Sequence, residues 1–245
     1  MDFRHILLST YMLILFSHCT KAQSPKDQQF LPIDINERLP HSDINSIMQD
    51  RYGFLWFGTY SGLCRYDGSQ LQTFSMEKGN PNSLSNSRVL CTKELKDGTI
   101  LIGTEGGGLN HFFPKSESFK VYEKEERVNA ISGDVINTIY QTSDGAIWIG
   151  TNAGMDLMHI NDSSAYFEKV FSGPEGVSTI AEDLEGNLIF GTGLRIFEIR
   201  QGTKYYNLKT EFTSGVNSVL PISKDTLIVG CENGLHAISE GNTTT

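Results

Sequence analysis

Between Ile44 and Ser239 the apolar residues fall into two arrangements. They alternate with polar residues, or they form runs of about five between turn residues. Both are strand patterns. No stretch keeps its apolar residues on a 3.6-residue stripe, so no amphipathic helix is predicted there. The runs are cut by turn sequences such as Asp97-Gly98, Asp144-Gly145 and Glu185-Gly186-Asn187.

The strands recur as a set. One member reads Leu55-Trp56-Phe57-Gly58-Thr59. Its counterparts start at Ile100, Ile147, Leu188 and Leu227. Each follows a strand of the Ile44-Asn45-Ser46-Ile47 type. Each precedes a Gly-Leu or Gly-Met step: Gly62-Leu63, Gly108-Leu109, Gly154-Met155, Gly193-Leu194 and Gly234-Leu235. A fourth strand is predicted at 71–74, 119–122, 166–170 and 205–208. The marker glycines Gly58, Gly103, Gly150, Gly191 and Gly230 recur every 39 to 47 residues. Short strands at that period predict an all-β fold, a β-propeller of four-stranded antiparallel blades. The units fall at 43–74, 87–122, 134–170, 176–208 and 215–239. Trp56 and Trp148 should pack between neighbouring blades. The marker glycines should admit a close neighbour, and the Leu of each Gly-Leu step should be buried.

The first residues form a different kind of segment. Ile6 to Phe16 is an apolar run between Arg4 and the small-residue pair Thr20 and Ala22. This predicts a secretory signal peptide over 1–22, cut after Ala22, rather than a membrane span. A periplasmic location follows, with no membrane span in the mature chain. An N-terminal segment over 23–42 then leads to the repeats. Within it, Phe30-Leu31-Pro32-Ile33 could supply an outer strand for the fifth unit, in which only three strands are evident. A closed five-bladed ring and an open arc of a larger ring both fit that count.

Composition adds little beyond this. The 24 glycines answer to many tight turns. Net charge is −9, with no basic stripe, which argues against nucleic acid as a partner. Cys64, Cys91 and Cys231 sit in apolar strand contexts. They read as buried free thiols, with one disulfide and a leftover thiol as the alternative.

The run of Asp, Gly, Leu/Ile-Trp-Ile/Phe-Gly-Thr, Gly-Leu, then an aromatic and Asp-Gly resembles the two-component regulator propeller repeat. Gln49 to Gly68, and Asn82-Ser83-Leu84-Ser85 through Gly108-Leu109-Asn110, carry the resemblance most clearly. The resemblance implies the periplasmic sensor of a hybrid two-component system, built from paired seven-bladed propellers and joined to a histidine kinase. Many such sensors respond to oligosaccharides. The present chain would be the N-terminal sensor portion or a short relative, lacking the kinase and its membrane helix. The resemblance favours the arc over the ring. Its partners would be an oligosaccharide and either the remainder of a sensor kinase or, for a self-associating propeller, further copies of itself.

Motifs for chemistry are sparse. Gly103-Thr104-Glu105-Gly106-Gly107-Gly108 lacks the Gly-Lys-Ser/Thr ending of a phosphate loop. His41, His111, His159 and His236 show no metal-binding spacing. Asp43, Asp50, Asp97, Asp144 and Glu185 mostly occupy turn positions. No catalytic residue, cofactor or metal is therefore assigned. Propeller connectivity places the turns between second and third strands on one face. Tyr60, Ser61, Glu105, Asn152, Glu232 and Asn233 lie there, near the loops at 82–87 and 127–134. An aromatic among amides and carboxylates suits a sugar. The alternatives are an exported polysaccharide lyase or hydrolase, and a non-catalytic interaction propeller.

Overall fold

The computed structural model describes residues 39–161, 164–203, 205–223, 225–239 and 242–244. The predicted signal peptide and the segment 30–33 lie outside the described residues. All described secondary structure is strand, isolated bridge or turn. Twenty strands form five four-stranded antiparallel sheets, each with its strands in chain order. Blade 1 holds β1 (Ile44–Gln49), β2 (Leu55–Thr59), β3 (Gly62–Tyr66) and β4 (Leu71–Phe74). Blade 2 holds β5 (Val89–Glu94), β6 (Ile100–Thr104), β7 (Leu109–Phe113) and β8 (Ser118–Tyr122). Blade 3 holds β9 (Ile136–Gln141), β10 (Ile147–Thr151), β11 (Gly154–Ile160) and β12 (Ala165–Ser172). Blade 4 holds β13 (Thr179–Glu182), β14 (Leu188–Thr192), β15 (Arg195–Ile199) and β16 (Tyr206–Glu211). Blade 5 holds β17 (Val216–Ser223), β18 (Thr226–Cys231), β19 (Gly234–Ser239) and β20 (Asn242–Thr244).

The fifth unit therefore has its own fourth strand. β20 pairs with β19, with Ala237 opposite Thr244. The sequence concealed this strand because Asn242-Thr243-Thr244 carries no apolar alternation. The blades follow one another as an arc of a β-propeller, each β1-type strand packed beside the next.

One joint recurs at every blade boundary. A Cβ added to Gly58 would lie 2.6 Å from Val89 Cγ1, and one on Gly103 would lie 2.8 Å from Ile136. Gly150 and Gly191 stand in the same relation to Val177 and Val216. Each of these four glycines is thus a socket for the β-branched residue that opens the following blade. The residue beside that opening residue reaches back to the next backbone. Asn45 Nδ2 donates to Val89 O at 2.8 Å, Asn137 Nδ2 to Val177 O at 3.1 Å, and Ser178 Oγ to Val216 O at 2.8 Å. Blade 2 has Leu90 at this position, and the neighbouring Cys91 thiol donates to Ile136 O instead, at 3.5 Å.

The tryptophans pack as the repeat predicts. Trp56 is buried with Ile100, Ile102 and Phe112 of blade 2, and Trp148 with Ile180 and Leu188 of blade 4. The Gly-Leu step does not behave uniformly. Leu63, Leu109 and Met155 are fully buried. Leu194 is exposed, because in blade 4 the residue opposite the marker glycine is Ile196. Leu235 does lie opposite Gly230 and is nonetheless exposed.

A second set of links joins the opposite ends of the blades. Arg51 Nε pairs with Glu94 Oε1 at 2.5 Å, and Arg51 Nη2 donates to Leu95 O. Lys96 N–H donates to Gln141, and its ammonium to Thr142 O and Ser143 O. Ser143 donates from backbone and hydroxyl to the Glu182 carboxylate, each at 2.7 Å. The acceptors Glu94, Gln141 and Glu182 share one register position, each facing the residue three places before its blade's marker glycine. In blade 5 that position is Pro221, opposite Leu227, and its side chain has no polar atom to receive a latch.

Candidate ligand-binding site

In blades 1 to 3 the turn between the second and third strands is built by a threonine. Thr59 Oγ1 donates to Gly62 O at 2.9 Å and accepts from Ser61 N–H at 3.1 Å. Thr151 repeats this with Gly154 and Ala153. Thr104 does so across one extra residue, with Gly108 and Gly107. All three threonines are fully buried, so their hydroxyls are spent inside the turn. Gly62 closes the turn at φ 136°, and a Cβ there would meet Phe74 O. The residues between threonine and glycine are left pointing outward. This is why Tyr60, Ser61, Glu105 and Asn152 share a face.

Only part of the predicted set converges. Tyr60, Ser61 and Glu105 line one cleft of about 380 Å³ between blades 1 and 2, together with His41, Asp43 and Arg88. The Arg88 guanidinium bridges the cleft. Its Nη1 lies 3.2 Å from Glu105 Oε2, and its carbon lies 5.7 Å from the Tyr60 ring centroid. The backbone fixes the same pair, because Glu105 N–H donates to Arg88 O at 2.9 Å. His41 meets Tyr60 edge-on at 5.6 Å between centroids, and its Nδ1 accepts from Asp43 N–H. An aromatic ring, a cation, two carboxylates, an imidazole and a hydroxyl thus face one open cleft.

The other three residues lie elsewhere. Asn152 belongs to blade 3, where its N–H donates to Val135 O and its Oδ1 lies against Gly133. In blade 5, Glu232 lies against Gly215, and Asn233 Oδ1 accepts from Ser214 Oγ at 2.6 Å and bonds His236 Nε2 at 2.8 Å. They occupy equivalent turns but different parts of the arc.

Arg88 was missed. It directly precedes Val89 as Asp43 precedes Ile44, so aligning the residues just before each blade opening would have found it. A larger hollow of about 580 Å³ lies between residues 125–129 and β12. Its lining carries three glutamates against one arginine and one lysine and lacks the exposed tyrosine of the first cleft. Among the described residues no group of three His, Cys, Asp or Glu is placed to hold a metal ion. Nor is any helix long and apolar enough to cross a membrane.

Two buried polar side chains hold the loops that precede blade openings. Asn110 Oδ1 accepts from Ser85 N–H at 2.9 Å, and Asn110 Nδ2 donates to Ser85 Oγ at 2.7 Å. One blade on, Asp156 accepts from Ser132 N–H at 2.8 Å and Ser132 Oγ at 2.5 Å. Burial pushes the Asp156 carboxyl above its ordinary range, and the Ser132 donors oppose the shift. The turn carboxylates behave as turn chemistry requires. Asp50 accepts from Tyr52 and Phe54 N–H and from the Trp56 indole, and Asp97 from Thr99 N–H and hydroxyl. Cys64, Cys91 and Cys231 are free thiols, which excludes the disulfide alternative. Burial pushes the Cys91 thiol up to about 12, so it remains protonated and unreactive.

Two stretches, residues 38–61 and 130–153, match the family model described as Two component regulator propeller. Those two stretches are similar to that propeller repeat. The first repeat ends on Tyr60 and Ser61 of the cleft. The second contains Asn152. The extracellular domain ascribed to a hybrid two component system of B. thetaiotaomicron shares the fold, at 19% identity and TM-score 0.54 over 82% of this chain. A second such domain from that organism matches at 21% identity and TM-score 0.54 over 86%. This chain spans about a third of their length, 32% and 35% respectively. Virginiamycin B lyase from Staphylococcus aureus also shares the fold, at 16% identity and TM-score 0.64, covering 84% of this chain and 71% of the lyase. No curated protein sequence matches this chain.

Proposed function

We propose that this propeller is the ligand-sensing part of an exported two-component signalling protein, non-catalytic, with an oligosaccharide as ligand. The observation that carries the reading is the two-component regulator repeat at 38–61 and 130–153. The predicted export signal and the extracellular neighbours support the location. The cleft supports the ligand class. A sugar ring stacks on an exposed tyrosine, and its hydroxyls take directional bonds from Arg88, Glu105, Asp43 and Ser61. The output step would belong to a kinase acting with the propeller.

Calorimetric titration of the full chain with an oligosaccharide panel tests this. A binding sugar should lose roughly tenfold in affinity with Tyr60→Ala, by loss of the stacking face. Silence across the panel would overturn the ligand class. The fold shared with virginiamycin B lyase favours a second reading, an exported lyase or hydrolase. Turnover of a polysaccharide that disappears in Glu105→Gln would establish that reading in place of the first.

A further inference from the structure

Two tryptophans hold the same place in blades 1 and 3, and their indole nitrogens fare differently. Trp56 is 1% exposed, and its indole N–H donates to Asp50 Oδ2 at 2.8 Å. Trp148 is 9% exposed. Thr142 stands where Asp50 stands, six residues before the tryptophan. The Thr142 hydroxyl is spent inside its own turn, shared between Asp144 Oδ1 at 2.5 Å and Ala146 O at 3.0 Å. Among the described residues no acceptor meets the Trp148 indole N–H. Nor is that nitrogen sealed in the core, where the unbonded side-chain atoms are Nδ1 of His111 and of His236.

Trp148 lines a cleft of about 290 Å³ between blades 3 and 4, at the latch end. The same space at the boundary of blades 1 and 2 is filled from within. Arg65, opposite Trp56 in the strand pair, holds its guanidinium carbon 5.7 Å from the indole centroid. Its Nη2 pairs with Glu117 of blade 2 at 2.9 Å. The Phe112 ring of blade 2 packs on the same indole, 5.6 Å between centroids. In blade 3 the residue opposite Trp148 is Leu157. In blade 4 the register place of Phe112 is held by Ile199. Two aliphatic chains thus replace a bridging cation and a phenyl ring, and space opens. Trp148, Leu157, Leu188 and Ile199 give it apolar walls.

The Asp144 and Glu182 carboxylates also line the cleft, but internal donors already hold them. Asp144 Oδ1 accepts from the Thr142 hydroxyl and from Ala146 N–H, and both Glu182 oxygens accept from Ser143. Arg200 on the rim is less committed. Its side chain is 74% exposed, and its contact with Glu198 is long, at 3.5 Å, while Lys209 holds that carboxylate at 2.8 Å.

We infer that this cleft binds a small aromatic carboxylate. The ring fills the space between Trp148, Leu157 and Ile199, which Arg65 and Phe112 fill one joint earlier. The carboxylate accepts from the indole N–H, as Asp50 does from Trp56, and from the Arg200 guanidinium. Pockets of about 300 Å³ are at the small end for ligands, so a single ring suits it. The site lies at the other end of the blades from Tyr60 and does not rest on the sugar reading.

Titration of the full chain with phenylacetate, phenylacetamide and phenethylamine tests this, since the three share a ring and differ in head group. Calorimetry reads affinity, and tryptophan fluorescence reads place. Phenylacetate should bind most tightly and shift the emission. Arg200→Gln should weaken it about tenfold. Trp148→Phe should weaken it and remove the emission change, because Trp56 is enclosed. Leu157→Arg should abolish binding by supplying the plug that Arg65 provides in blade 1. Thr142→Asp gives the indole an internal acceptor and should also weaken binding. It serves if Leu157→Arg lacks the cooperative thermal transition of a folded variant. No binding of phenylacetate would overturn the proposal. So would equal or tighter binding of the amide or the amine, or unchanged binding in the folded closing variants.

Discussion

Asp156 is fully buried, with two Ser132 donors on its carboxylate and the Lys169 charge across the strand pair. Its carboxyl is raised by burial, so the folded state holds the proton more tightly than the unfolded chain. The stability this gives is complete below the unfolded carboxyl value. It is lost as pH rises through the folded value. Asp156→Asn should therefore gain stability relative to wild type as pH is raised from about 4 towards neutrality, read as the difference in denaturation midpoint. Asn110 shows that an amide satisfies the same serine pair. Asp156→Ala should instead cost about 1–3 kcal/mol, because the buried Ser132 groups lose their acceptor. None of this was legible from sequence. Asp156 sits in an ordinary alternating strand, and its partner lies 24 residues away. The turn carboxylates were legible, because Asp97-Gly98 fixes its geometry from neighbours two residues off.

At the level of the blade, the marker glycines carry most of the specificity. Gly103→Ala would place a methyl against Ile136 of blade 3 and the Cys91 sulfur, at a cost of about 1–3 kcal/mol in chemical denaturation. Gly230→Ala meets only a serine hydroxyl and a leucine of its own blade and should cost clearly less. The tip latches predict an order of opening. Blades 1 to 4 are linked through Arg51, Lys96 and Ser143, while Pro221 offers the blade 4–5 boundary no such acceptor. In hydrogen exchange of the dilute protein, amides of β17 to β19 should exchange before those of β9 to β11. The period of the glycines made the blades readable in advance. The latches were not readable, since Arg51 and Lys96 look like ordinary solvated turn residues until the next blade is set beside them. The exception at Leu194 has the same root. A Gly-Leu pair in sequence identifies the step only when the glycine also falls in register.

Among the described residues, the main packing between blades joins adjacent blades, so stability is close to a sum of blade and joint contributions. Unfolding should depart from a single transition, with the calorimetric enthalpy exceeding the van't Hoff value. The number of units was legible in the sequence because the repeat marks itself. The ligand cleft was legible in part. Tyr60, Ser61 and Glu105 come together because they sit on adjacent blades. Asn152, Glu232 and Asn233 share their turn type but lie two to four blades from blade 1. Equivalence within a repeat fixes which face a residue adopts, but distance along the arc decides what it meets.

The uniform joint also bears on how such a chain can change over generations. Its recognition code is short: a glycine on one side, a β-branched residue on the other. A stretch of gene encoding one blade can then be duplicated or deleted, and the blades on either side of the scar still meet through a matching pair. Blade number becomes a property that recombination can alter without redesigning any contact. The loops outside the joint, which hold Tyr60 and Arg88, are free to diverge separately.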